Sequence, residues 1–109
     1  MNRSSAIRAT LTQLRSFEAV ARLGGIGRAA LALHLAQPTV STQMRELAAA
    51  VGLTLFTPRG RGLQLTDEGA LLLATAREMF STWSRFEEDA AAMSGLRAGR
   101  LRVAAVTTS

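Results

Sequence analysis

A single proline constrains the first half of this chain. Residues 28–47 read RAALALHLAQPTVSTQMREL, and their apolar positions suit two short helices with Pro38 between them. Proline has no backbone N–H and clashes with the preceding turn, so a helix accepts it only in its first turn. One helix must therefore end, and another begin, within Leu35-Ala36-Gln37-Pro38. Ala29, Ala30 and Leu33 share a face of the first helix, while Val40, Met44 and Leu47, at i, i+4 and i+7, share a face of the second. The second helix presents Gln37, Thr39, Ser41, Thr42, Gln43 and Arg45 outward, nearly all hydrogen-bonding side chains of short or medium reach. A small helix with a packed inner face and a polar, mildly basic outer face is what a DNA major groove admits. The pattern predicts a helix-turn-helix.

The flanking segments extend this unit. Residues 11–23 predict a first helix with an apolar stripe of Leu11, Leu14, Phe17, Val20 and Ala21, Thr12 as its N-cap and Gly24-Gly25 as its stop. The second helix is predicted over 26–35 and the third over 38–51, ended by Gly52. In 53–66, LTLFTPRGRGLQLT, Leu53 and Leu55 alternate with Thr54, and Leu63 and Leu65 alternate with Gln64 and Thr66. The Gly/Pro-rich turn between them predicts a β-hairpin, a wing with Arg59 and Arg61 at its tip. Residues 67–93 predict a long helix capped by Thr66, with Asp67 and Glu68 at its positive end.

On that helix Leu72, Ala76, Met79, Trp83, Phe86, Ala90 and Met93 recur at alternating steps of four and three, a heptad seam. A seam of this kind is covered either by an in-chain core contact or by a second copy of the chain. A helix of roughly 40 Å, at ~1.5 Å per residue, outruns the small domain before it, which favours a twofold dimer. The final run, 99–109, alternates and then becomes apolar and β-branched, like the first strand of a buried sheet. The predicted organisation is a flexible N-terminus over 1–10, a winged helix-turn-helix over 11–66, a dimerising linker helix over 67–94, and over 95–109 a hinge and first strand of a further domain. The fold class is mainly α: three helices plus a hairpin wing, then the long helix.

Charge and residue inventory narrow the function. All 13 basic residues are arginine, and the net charge is +5. Residues 1–64 carry eight arginines against Glu18 and Glu46, a balance of +6, whereas 65–109 carry five against six acids, a balance of −1. The positive charge belongs to the half that holds the helix-turn-helix, which favours a polyanionic partner. With no cysteine and a single histidine, His34, the chain has no thiolate site and no histidine pair for a metal; His34 is expected to pack or hydrogen-bond near the turn. The Gly60-Arg61-Gly62 turn lacks the Lys-Ser/Thr of a phosphate loop, so an enzyme is not expected, nor a cofactor in this part of the chain. No apolar run approaches the ~20 residues of a membrane span, and MNRSSAIRAT is no secretory signal, so a cytoplasmic location is expected.

The expected roles follow from side-chain chemistry. Gln37 and Gln43 suit bidentate pairing with adenine, and Thr39, Ser41 and Thr42 suit base edges or thymine methyls. Pro38 sets the start of the reading helix, Arg28 and Arg45 suit phosphate, and Arg59 and Arg61 suit a narrow minor groove. The alternative is a helical dimerisation module whose basic face binds an acidic protein.

From Leu11 to about Phe80 the chain resembles the N-terminal domain of LysR-type transcriptional regulators. The likeness rests on Leu33-His34, Gln37-Pro38 followed by Ser41, Leu55-Phe56, and Leu65-Thr66 with Gly69. It implies a winged helix-turn-helix, a linker helix that dimerises the reading heads, and a C-terminal domain answering a small metabolite. It also implies tetramers at full length that bind promoters, with RNA polymerase as a further partner; a twofold dimer should itself prefer an interrupted inverted repeat. The ending GRLRVAAVTTS resembles the linker-to-effector junction of the branch that regulates carbon-dioxide-fixation operons. Thr42, Ala36 and Pro58 depart from the family pattern, which more often has Arg, Ser and Arg there.

Overall fold

The computed structural model describes the backbone of residues 8–108 and the side chains of 8–96. The flexible segment expected over 1–10 lies outside the described residues up to position 7. The elements are α1 (Leu11–Leu23), α2 (Ile26–Leu33), α3 (Gln37–Val51), β1 (Phe56–Arg59), β2 (Gly62–Leu65) and α4 (Asp67–Thr108). The chain divides into two compact units, Met1–Arg77 and Glu78–Ser109.

The first unit is a three-helix cluster carrying a hairpin. Its N-terminal cap is Thr10 rather than Thr12: the Gln13 N–H donates to Thr10 Oγ1 and the Thr10 N–H to Gln13 Oε1, each at 3.1 Å. This reciprocal box satisfies two otherwise unpaired donors and sets the cap immediately before Leu11, where the helix begins as predicted. Helix α1 buries Leu14, Phe17 and Val20, with Ser16 and Ala19 beside them, but leaves Leu11 exposed. Helix α2 adds Ala29 and Ala30, and α3 adds Val40, Met44 and Leu47. Helix α2 ends at Leu33, short of the predicted 35, because His34 takes the left-handed conformation at φ 57° and the Leu35 N–H closes back on the Ala30 carbonyl at 2.9 Å. Helix α3 then starts from Ala36, whose carbonyl accepts from the Thr39 and Val40 N–H groups. Pro38 sits in its first turn, as the sequence requires.

The hairpin begins later than the alternation of Leu53 and Leu55 predicts. Strands β1 and β2 are antiparallel, with Phe56 opposite Leu65 and Arg59 opposite Gly62, so only Gly60 and Arg61 form the turn. The 53–55 segment is engaged elsewhere: the Thr54 carbonyl accepts from Thr66 Oγ1 at 2.6 Å, and the Leu55 carbonyl accepts from the Thr66 N–H at 3.0 Å. Phe56 meets Phe17 with ring centroids 5.3 Å apart, fastening the hairpin to α1. The Leu63 N–H donates to the Gly24 carbonyl at 3.0 Å, and a side chain at Gly62 would collide with that carbonyl. Pro58 costs no ladder bond that another strand needs, because a two-stranded sheet consists of edges.

Helix α4 starts as predicted, with the Gly69 N–H donating to Thr66 Oγ1 at 2.9 Å. Gly69 is buried, and a Cβ there would strike the Leu55 carbonyl oxygen and stand 2.8 Å from Leu65 Cδ2. Two members of the predicted dimer seam are spent within this unit: Ala76 is 0% exposed and Leu72 is half-buried. Arg77 reaches Glu18 Oε2 on α1 at 3.4 Å. A second correction concerns the end of the chain. Where 95–109 predicted a hinge and a strand, the backbone is helical through Thr108. The described sheet has only β1 and β2, so a strand there would have no ladder to join, whereas a helix satisfies its N–H and C=O groups internally. Among the described residues no helix is both long and apolar enough to cross a membrane.

Candidate nucleic-acid interface

Burying Val40, Met44 and Leu47 turns the opposite side of α3 to solvent. Gln37, Pro38, Thr39, Thr42 and Arg45 are exposed and Ser41 is half-buried. Gln37, Pro38, Ser41, Thr42 and Arg45 line a shallow depression of about 400 Å³. Arg45 Nη2 donates to Thr42 Oγ1 at 3.2 Å, so the guanidinium lies along the polar face. Helix α3 has no side-chain cap, because Ala36 offers no side-chain oxygen; the Ala36 carbonyl instead takes the Thr39 and Val40 N–H groups, and Pro38 has no N–H to satisfy.

A larger cleft of about 710 Å³ opens between the start of α2 and the wing turn, lined by Gly24 to Arg28, Gln37 and Arg61 to Leu63. It brings Arg28, Gln37 and Arg61 to one concavity although they come from three elements. The Gln37 carboxamide lies 3.9 Å from where a side chain at Gly27 would begin, so the missing Cβ leaves it room. Arg28 Nη1 also donates to the Leu23 carbonyl at 3.4 Å.

Six of the described arginines divide into two groups. Arg22 and Arg77 both pair with Glu18, at 3.3 and 3.4 Å. Arg28, Arg45, Arg59 and Arg61 make no salt bridge among the described residues, and all four are exposed. Arg28 and Arg61 share a cleft with Gln37, and Arg45 lies on the polar face; unpaired cations so placed create a field that attracts a polyanion. Arg59 differs from its expected place: it closes β1 and reaches Gln64 Oε1 at 3.4 Å, leaving Arg61 alone in the turn.

Gln43 is a further correction. It is half-buried on the flank of α3, and its Oε1 accepts a hydrogen bond from the Ser16 hydroxyl on α1. That oxygen ties α3 to α1, so Gln43 is not presented wholly outward as its polarity predicts. Ser16 itself gave no signal in the sequence, since a serine within an amphipathic stripe reads as neutral; only its pairing with position 43 reveals its use. His34 neither packs nor hydrogen-bonds through its imidazole among the described residues; it is exposed and serves as the α2 cap through its backbone.

In the second unit, Met79, Trp83, Phe86 and Met93 are exposed and Ala90 is half-buried. Trp83 and Phe86 meet as a tilted pair with ring centroids 5.0 Å apart.

Residues 11–70 match the family model described as bacterial regulatory helix-turn-helix protein, lysR family. The HTH-type transcriptional activator CmpR of Synechocystis sp. (strain ATCC 27184 / PCC 6803 / Kazusa) is 41% identical over 92% of this chain and 33% of its own length. A RuBisCO operon transcriptional regulator of Acidithiobacillus ferrooxidans is 42% identical over 93% of this chain and 33% of its own. The crystal structure of a CbnR DNA-binding domain–DNA complex superposes with a TM-score of 0.74 at 34% identity, over 78% of this chain and 98% of that one. The chain thus spans about a third of the length of these curated relatives.

Proposed function

The chain belongs to the lysR family of bacterial regulatory helix-turn-helix proteins, and on that premise we propose that it reads promoter DNA sequence-specifically. Helix α3 enters the major groove and the hairpin follows the adjacent minor groove. The observation that carries this reading is the exposed face of Gln37, Thr39, Thr42 and Arg45, bordered by arginines without acidic partners. Gln37 pairs with adenine, and Thr39, Ser41 and Thr42 touch base edges or thymine methyls. Thr42 cannot hold guanine bidentately as an arginine would, so the preferred site is poorer in guanine at its contact. Arg28 and Arg45 hold phosphate, while Arg61 at the turn and Arg59 beside it reach toward the minor groove.

Met79, Trp83, Phe86 and Ala90 form the face on which two copies meet, and the pair reads an interrupted inverted repeat. A small metabolite acts through a C-terminal domain beyond this segment, and the whole protein works in the cytoplasm. The RuBisCO operon regulator among its relatives supports a carbon-dioxide-fixation operon as the target.

The test is selection of bound duplexes from a random pool, followed by titration of the winner in rising salt. An inverted repeat should emerge. Affinity should fall by roughly 0.9 log units per log unit of salt for each phosphate neutralised. A pool that stays random, with salt-dependent binding to an acidic protein instead, would make this an interaction module.

A further inference from the structure

Ser16 is the one polar side chain buried among the described residues, at 2% exposure in the core of the first unit. Its hydroxyl donates to Gln43 Oε1, the only described side-chain hydrogen bond between α1 and α3. The other buried side chains of the two helices are apolar: Leu14, Phe17, Ala19 and Val20 on α1, Val40, Met44 and Leu47 on α3. Apolar burial fixes how closely helices approach but has little directional preference, so α3 is free to roll slightly on that floor. A hydrogen bond has a preferred length and angle and removes that freedom.

Gln43 stands one turn after Thr39 on the same flank of α3 and next to Thr42, so any roll it prevents is a roll of the polar face. With Oε1 held, its Nε2 is the free end. No described buried side-chain nitrogen lacks a partner, so this nitrogen, which makes no hydrogen bond, meets solvent.

We infer that Ser16 is a positioning residue for sequence reading: acting through Gln43, it locks the rotation of α3 that aims Thr39, Ser41 and Thr42 at the bases. The inference rests on the DNA-reading function proposed above. It makes a core residue on α1, far from any base in chain order, a determinant of which duplex is preferred.

The test uses the full 109-residue chain and the duplex that this chain selects from a random pool, with a scrambled duplex as reference. Ser16→Ala should lower the ratio of the two affinities by about threefold to tenfold, the worth of one hydrogen bond. Affinity for the scrambled duplex should stay within about twofold, because phosphate contacts carry it. Ser16→Thr, which keeps the hydroxyl, should restore the ratio. Gln43→Met should lower it alike, and Ser16→Ala added to Gln43→Met should lower it no further. Equal weakening on both duplexes, or losses that add in the double variant, would overturn the inference. Should Ser16→Ala melt below the assay temperature, Gln43→Met at its half-exposed position decides: an unchanged ratio overturns it. A parent chain that prefers no duplex removes the function and the inference together. A parent with a clear preference and indifferent variants removes the inference alone.

Discussion

Ala76 and Trp83 occupy the same phase of one helix, seven residues apart, and their surroundings are opposite. Ala76 is wholly buried within the first unit, while Trp83 in the second is 54% exposed. The same division runs along α4. Before residue 78, Gly69, Ala76 and Arg77 are each engaged, by the Leu55 carbonyl, the core and Glu18 respectively. After it, Met79, Trp83, Phe86 and Met93 are exposed. A heptad pattern therefore reports that a helix face wants cover and says nothing of what covers it. The first part is answered inside the chain, and the second stays uncovered among the described residues.

Substitutions along α4 test that division. The largest effect belongs to Gly69. Glycine to alanine in a helix ordinarily gains about 1 kcal/mol, but here the added methyl collides with a backbone carbonyl that cannot step aside. Gly69→Ala should cost about 3 kcal/mol or more of unfolding free energy in denaturant titration; a neutral or stabilising result would mean the start of α4 is loosely seated. Ala76→Leu follows, with an overpacking loss of about 1–3 kcal/mol. Were it tolerated without loss, Ala76 would be available to a partner after all.

Trp83→Ala should leave the melting of the first unit unchanged to within about 0.5 kcal/mol, as for a surface position. In sedimentation it should shift the chain toward monomer, since a large aromatic anchor is lost from the contact. A chain that remains dimeric would return the seam to in-chain packing. Arg77→Ala should have the smallest effect, about 0–1 kcal/mol and less at high salt, because both partners of the Glu18 pair keep solvent contact.

Much of the architecture was legible from local chemistry. Pro38 and Gly52 bracket α3 because each acts on its own backbone, and Val40, Met44 and Leu47 name its inner face by spacing alone. Thr66 announced α4 for the same reason. The misreadings share a different cause. Thr10 and not Thr12 caps α1, because it is Thr10 that meets Gln13. The start of β1 was placed too early because Leu55 alternates like a strand residue but gives its carbonyl to Thr66. Residues 99–106 have a strand's composition and, among the described residues, no strand to pair with.

The candidate interface divides along the same line. Its exposed members, Gln37, Pro38, Thr39, Thr42 and Arg45, were identifiable because they oppose an apolar stripe on the same helix. Gln43 was not, because its polarity is equally suited to a base or to Ser16, and only the packing of α1 against α3 brings that hydroxyl within reach. The grouping of Arg28, Gln37 and Arg61 around one cleft was likewise invisible along the chain.

Helix starts and stops, the polar face of α3 and the concentration of positive charge in the first half follow from residue type and spacing, since they depend on neighbours within a few positions. Which polar groups stay free, which of the seam residues are already covered, and whether the last segment is strand or helix depend on groups distant in sequence. Those outcomes were settled by the packing of α1 against α3, by the seating of α4 on Leu55, and by the lack of a neighbouring strand among the described residues.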